Sequence, residues 1–137
     1  MGLIHTKISL KNPKISEFKA IETTALVDTG ALHLCIPEHL AIQLGYDLDN
    51  SFSREVSTAD GKKHIVPYVG PIQVSFQNRT CFTGALVLGD EVLLGAVPME
   101  DMDLVLSPAK QAVIVNPESP NTAVSIAKVL KSTPNPC

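Results

Sequence analysis

The residue types best suited to chemistry lie in a short motif at the end of an apolar segment. Asp28 follows Leu26-Val27 and precedes Thr29-Gly30-Ala31. An apolar strand is expected to carry the carboxyl group to a place of low dielectric, where its pKa would be tuned for acid–base work. Gly30 would let the backbone turn tightly and bring its N–H to the carboxylate, and the Thr29 hydroxyl would bond to neighbouring backbone. Asp-Thr-Gly is also compatible with an ordinary turn.

Two further elements follow this motif along the chain. Ala59-Asp60-Gly61 lies between strand candidates at 55–58 and 63–69, and Asp-Gly there predicts a β-hairpin with a type I′ turn, in which both central residues have positive φ. Val92-Leu93-Leu94-Gly95 predicts a buried strand that ends in glycine, and residues 98–102 a helical turn.

The elements that must position these motifs are mainly short β segments separated by turn residues. They are predicted at 3–10, 18–27, 55–58, 63–69, 72–76, 81–88, 92–95, 104–106 and 112–115. One helix is marked by Pro37 at its first position and by Gly45 just past its end. The pattern predicts an all-β fold, a small closed β-barrel with one or two short helices.

Composition excludes several classes of protein. The chain has 137 residues, a net charge of −3, 45% hydrophobic residues and 18% charged residues. This length and hydrophobicity predict one folded domain, expected over residues 1–117, followed by a tail at 118–137 with helix-like spacing over 122–131. A basic surface for nucleic acid and an apolar run long enough for a membrane are both absent from the sequence. The low charge indicates that a partner covers part of the surface.

The cysteines and the first residues indicate a reducing environment. Cys35, Cys81 and Cys137 are odd in number and form no C-x-x-C pair, which predicts free thiols rather than a disulfide framework or a zinc site. Residues 1–10 lack the apolar block of a signal peptide, so a cytoplasmic location is expected.

Other polar residues favour ordinary roles. The four histidines, which include His33 and His39, show no spacing typical of a metal site, and no metal or cofactor is expected. Glu100, Asp101 and Asp103 are interpreted as the solvated end of a helix.

The three motifs, in this order, resemble the single-domain retropepsin-like aspartic peptidases. The matching residues are Leu26 to Ala31, then Ala59-Asp60-Gly61, then Leu93-Leu94-Gly95. The A-D-G hairpin at the flap position is similar to that of bacterial and archaeal chromosomal members. The resemblance spans roughly residues 3 to 117 and implies the acid-protease type of barrel.

The resemblance also implies a mechanism. The chain has one D-T-G motif and is too short for two lobes, so a homodimer would supply the second carboxylate, with Asp28 of each subunit at the axis. A water activated between the two would hydrolyse a peptide or protein substrate without metal or cofactor. The implied catalytic residues are Asp28, Thr29 and Gly30, and the implied substrate-binding residues are Ala31, Ala59, Asp60, Gly61, Leu94 and Gly95.

The sequence departs from the viral members of that family at several positions. Leu32 and His33 stand where viral members carry acids that hold the substrate backbone, and Ala96 stands where they often carry an arginine that braces the dimer. The hairpin tip carries Lys62 and Lys63, for which a solubility role is favoured over recognition of acidic substrates.

Two alternatives to an endopeptidase stay open at this point. One is a non-catalytic peptide-binding or scaffolding module on the same fold. The other is an unrelated β-barrel interaction domain in which D-T-G is a plain turn. An intact D-T-G-A motif argues against the former, and monomeric behaviour in solution would favour the latter.

Overall fold

The computed structural model describes residues 3–128, which form nine strands and two short helices. In chain order these are β1 Ile4–Lys11, β2 Ile21–Val27, β3 Leu34–Ile36, α1 Glu38–Gln43, β4 Phe52–Ser57, β5 Lys63–Phe76, β6 Arg79–Val87, β7 Val92–Leu94, α2 Ala96–Asp101, β8 Leu104–Ser107 and β9 Ala112–Val115. The predicted all-β class is confirmed. Neither of the helices in this part of the chain is long and apolar enough to cross a membrane.

Six of the strands close into a barrel. The order β1-β2-β7-β3-β6-β5 returns to its start because β5 also pairs with β1, while β4 extends the sheet beyond β5. Closure removes the unpaired strand edges that an open sheet would leave. Alternate side chains of the strands point inward and make the core, including Ile8, Leu10, Ala25, Ile72 and Leu94, each at most 2% exposed.

The hairpin between β4 and β5 forms as predicted, but its turn differs. Gly61 has φ +82°, whereas Asp60 is not among the residues with positive φ. The Gly61 N–H donates to the Thr58 carbonyl at 2.9 Å, and the strands resume pairing at Ser57 and Lys63. Hairpin loops longer than two residues favour a type I turn that is followed by one residue with positive φ, here Gly61. The prediction of a type I′ turn is therefore wrong.

Strand β5 is longer than predicted. The segments predicted at 63–69 and 72–76 form one strand of 14 residues, with a shift of register between Val69 and Ile72. An irregularity of this kind bends a strand without ending it. The first half of β5 pairs with β4 and the second half with β1, so the hairpin is continuous with the barrel wall.

The helices begin and end near the predicted residues. Pro37 is the N-cap of α1 rather than its first helical residue, and Gly45 follows the helix with φ +89°. Helix α2 begins at Ala96, directly after Gly95, and so places Pro98 in the first turn, where a missing N–H leaves no helical bond unmade. It thus starts two residues earlier than predicted.

The C-terminal segment does not form the predicted helix within the described residues. Residues 123–128 have no regular structure, and residues 129–137 lie outside the described part. The segment is instead held by Asp103, which accepts hydrogen bonds from the Ser119 hydroxyl at 2.5 Å and from the Val124 N–H at 3.0 Å. A segment this short is not stable as a helix on its own, so these two hydrogen bonds determine its path. Asp103 is therefore an anchor for the tail, not the solvated helix end expected from the sequence.

Candidate active site

The first and third motifs lie side by side. Strands β2 and β7 are parallel, and Val27 pairs with Leu94 at their ends. One residue further on, the Asp28 N–H donates to the Leu94 carbonyl at 3.0 Å. The loop that carries Asp28 is thus attached to the end of β7, directly before Gly95.

The carboxylate of Asp28 is oriented by its own loop. Its Oδ1 accepts a hydrogen bond from the Gly30 N–H at 3.0 Å, as the sequence predicted. A Cβ at Gly30 would lie 3.2 Å from the same oxygen, which is a tight contact. The loop closes with a bond of 3.1 Å from the Ala31 N–H to the Asp28 carbonyl. Glycine at position 30 therefore permits the approach that holds the carboxylate.

Gly95 packs directly against the backbone of this loop. A Cβ at Gly95 would lie 2.4 Å from the His33 carbonyl oxygen and 2.9 Å from that of Ala31. The first N–H groups of a helix have no acceptor within the helix. Here the Ala96 N–H donates to the Ala31 carbonyl at 2.8 Å and the Val97 N–H to the Leu32 carbonyl at 2.9 Å. The start of α2 and the Asp28 loop therefore satisfy each other's backbone groups.

The loop faces solvent in the single chain. Ala25 on β2 is fully buried, whereas Asp28, Thr29 and Gly30 are exposed. The low-dielectric environment expected for Asp28 is therefore not provided by one copy of the chain. The expected hydrogen bond from the Thr29 hydroxyl to neighbouring backbone stays a prediction.

The β4–β5 hairpin is joined to the Asp28 loop through a side-chain cluster. Arg54 on β4 reaches His33, with 3.0 Å between Nη1 and Nε2. The guanidinium also lies over the Tyr68 ring, 4.3 Å from its centroid, and the His33 ring meets Tyr68 edge-on at 6.2 Å. Partial burial, and secondly the charge of Arg54, lower the pKa of His33. Both effects favour the neutral imidazole, whose Nε2 then accepts from Arg54.

The hairpin tip, formed by Ala59, Asp60 and Gly61, is exposed. The carboxylate of Asp60 is turned back onto its own loop, where it accepts from the Thr58 hydroxyl at 2.5 Å and from the Lys62 N–H at 3.0 Å. The hydrogen bond from Thr58 is the main cause of a lowered pKa of Asp60. Asp60 thus stabilises the turn, and its expected contact with substrate stays a prediction.

Sequence reasoning did not single out Arg54 and Tyr68. Arg54 lies 21 residues from His33, and its only local signal was a cation directly before the strand predicted at 55–58. The pairing of Arg54 with Val66 and of Phe52 with Tyr68 puts both side chains on the hairpin face that meets the Asp28 loop.

Within residues 3–128, the cysteines and the potential metal ligands do not form a further site. Cys35 is half-buried and Cys81 is buried, both are free thiols, and burial raises the pKa of Cys81 to about 12. Cys137 lies outside the described residues. Within residues 3–128, no group of three or more histidine, cysteine or acidic side chains could hold a metal ion.

The family comparison agrees with the site. Residues 17–101 match the family described as gag-polyprotein putative aspartyl protease, and this span contains the Asp28 loop, the hairpin and Gly95. No curated protein matches the chain. Because the match covers more than half of the sequence and includes all three motifs, the chain belongs to this retropepsin-like aspartyl protease family.

Proposed function

We propose that the protein is an aspartic endopeptidase whose active form is a symmetric homodimer with one Asp28 from each copy. The observation that carries the proposal is the Asp28 loop itself, in which an exposed carboxylate is held by the Gly30 N–H on a backbone attached to Leu94. The sequence contains one D-T-G motif, and peptide hydrolysis by this chemistry needs two carboxylates. A second copy related by a two-fold axis would supply the other.

The chemistry follows from bringing two such carboxylates together. Two adjacent carboxyl groups share one proton and titrate as a pair, because both cannot ionise easily at short range. The ionised Asp28 would take a proton from a water between them, and the water oxygen would attack the scissile carbonyl carbon. The protonated Asp28 of the other copy would donate to the carbonyl oxygen. Collapse of the tetrahedral species breaks the C–N bond as the amine takes a proton.

Exposed apolar side chains beside the loop support a second copy. Leu32 is 58% exposed and Val97 is 37% exposed, and the two are joined by the backbone bond between them. Burial of these side chains would favour association, since removal of apolar surface from water is stabilising. Burial would also lower the dielectric around Asp28, which the single chain leaves exposed.

The hairpin provides a cover for an extended substrate. Strand β4 lies outside the six-stranded barrel and pairs with the first half of β5, and the Arg54–His33 contact holds this hairpin against the Asp28 loop. A peptide lying between the hairpin and the loop would add hydrogen bonds of the strand type and would be shielded from water. Ala59, Asp60 and Gly61 would lie above it, with Ala31, Leu94 and Gly95 below.

The test is cleavage of a diverse peptide pool between about pH 3 and 8 by the full chain, followed by mass spectrometry. We expect Asp28→Asn to lower cleavage by about a thousandfold or more, since it removes the acid–base group. Asp90→Asn, in an exposed turn, is the control and should cleave as the wild type does. If a folded, dimeric wild-type protein cleaves nothing, the endopeptidase proposal is overturned and a peptide-binding module becomes the better account.

A further inference from the structure

We infer that Arg54 is a specificity-determining residue that binds the carboxylate of an acidic substrate side chain, an inference that rests on the proposed function and adds a substrate class to it. The guanidinium lies beside the segment that runs from Asp28 to His33 and is oriented by two neighbours.

The register of the hairpin determines where Arg54 points. Side chains of directly opposite residues share a face of an antiparallel pair, and faces alternate along each strand. Arg54 is opposite Val66, and Val56 is opposite His64, so these four lie on one face. Since Arg54 reaches His33, this inner face is turned toward the Asp28 loop. The inner face is where a peptide held under the hairpin would run.

The position of His33 links this face to the catalytic loop. Its carbonyl oxygen lies over Gly95, close enough that a Cβ there would be 2.4 Å away. Asp28 is attached to the preceding residue, Leu94, through its own N–H. His33 and Asp28 therefore contact adjacent residues, Gly95 and Leu94, at the end of β7. A substrate whose scissile bond is at Asp28 would have flanking side chains within reach of the group that His33 contacts.

Neighbouring side chains fix the orientation of the Arg54 guanidinium before any ligand binds. Its guanidinium lies over the Tyr68 ring, and Tyr68 in turn occupies the space above Gly84, where a Cβ would lie 2.3 Å from the phenol oxygen. The bond to His33 uses one of five N–H donors, so others are available for a ligand. Such a planar, fixed group suits bidentate binding of a carboxylate and loses little freedom when it binds one.

The local charges leave this cation without an acidic partner. Glu55 lies on the opposite face of the hairpin and pairs with Lys63 at 3.8 Å, and the Asp60 carboxylate is bonded within the tip. None of the ion pairs within residues 3–128 involves Arg54. A carboxylate from a substrate would complete the site, whereas a second cation would be repelled.

The experiment compares matched peptides that differ by one charge. Cleavable sequences from the pool would be synthesised with Glu or Gln at each flanking position, acetylated and amidated so that the side chain carries the only carboxylate tested. For one position, wild-type kcat/KM for Glu is expected to exceed that for Gln by about tenfold. Arg54→Met should bring the ratio to about one, and Arg54→Lys should retain part of it, since lysine keeps the charge but loses the fork.

Lys63→Met is the matched control, because it removes the same charge from the outer face of the same hairpin. It should leave the Glu-to-Gln ratio unchanged, and an equal loss in both variants would show a general charge effect and overturn the inference. Cleavage without preference would overturn it while leaving the peptidase intact. If the wild type cleaves no peptide of the pool, Glu- and Gln-containing pool peptides, acetylated and amidated in the same way, are instead tested for binding to Asp28→Asn by fluorescence anisotropy. An Arg54-dependent preference without any cleavage by the wild type would support acid recognition and overturn the peptidase.

Discussion

The Asp28 N–H donates to the Leu94 carbonyl at 3.0 Å, so a backbone hydrogen bond ties the carboxylate loop to the end of β7, next to Gly95. The next residues continue the attachment, since the start of α2 donates to the carbonyls of Ala31 and Leu32. The catalytic loop is therefore positioned by backbone bonds to a segment more than sixty residues away in sequence. The consequences for stability, pH response and association can each be measured.

Gly95→Ala should displace the Asp28 loop. The added methyl would lie 2.4 Å from the His33 carbonyl oxygen, and backbone on both sides must shift. We expect a loss of about 2 kcal/mol in the free energy of unfolding, measured by urea titration, together with loss of cleavage. Gly89→Ala is the control, because a Cβ there meets nothing within 4 Å and only its φ of +85° is unfavourable. Gly89→Ala should lose stability through backbone strain alone and keep its cleavage activity, and a Gly95→Ala protein as stable and as active as the wild type would contradict this assignment.

The contact between His33 and Arg54 should weaken as the pH falls. The pKa of His33 is lowered from its ordinary value of 6.5 by partial burial and by Arg54, so folding favours the neutral ring. The contribution to stability is then complete above about pH 6.5 and is lost as the pH falls through the lower folded-state value. His33→Gln keeps a hydrogen-bond acceptor but does not titrate in this range. The melting temperature of wild type relative to this variant should fall between pH 7 and 5, and a constant difference would contradict the account.

Asp103→Asn should loosen the C-terminal segment. Hydrogen bonds from Ser119, from the Val124 N–H and from Asn116, in that order, lower the pKa of Asp103 to about 2. Its contribution is therefore present above about pH 4 and is lost as the pH falls through about 2. At neutral pH we expect the Val124 amide to exchange hydrogen about tenfold faster in the variant. Asp101→Asn, two residues away and exposed, should leave that exchange rate unchanged.

Leu32→Asp should weaken the proposed homodimer. The side chain is 58% exposed next to the Asp28 loop, and a charge there would have to be buried on association. We expect the dissociation constant measured by sedimentation to rise by at least about tenfold. Ile42→Asp on α1 is a close control, because Ile42 is also 58% exposed but lies away from the loop. Equal effects of the two substitutions, or none, would count against this interface.

Mixing experiments test whether each active site uses two copies of Asp28. If wild type and Asp28→Asn exchange freely and mixed dimers are inactive, equal amounts should leave about one quarter of the dimers fully active, by random pairing in a two-fold dimer. A loss of only half, in proportion to the wild-type content, would show that each chain acts independently. The measurement is the initial rate of peptide cleavage after equilibration at constant total protein concentration.

The local features of this protein were determined by its sequence alone. Alternating apolar residues predicted most of the strands, and glycines at 45 and 61 marked a helix end and a turn where the backbone has positive φ. The three motifs and their order predicted the barrel class and the family, and the Gly30 N–H meets the Asp28 carboxylate as expected. These predictions succeeded because each depends on the conformational preferences of a few consecutive residues.

The tertiary structure decided what depends on pairing between distant segments. Local pattern did not show that Asp28 is exposed in a single copy, that Asp60 bonds within its own turn, or that Asp103 holds the tail in place of a helix. The local pattern also did not predict the contact between Arg54 and His33, because that contact depends on both the register of the hairpin and the closure of the barrel. Register is set by which residues of remote strands are buried against each other, and this is a property of the whole core rather than of any one segment.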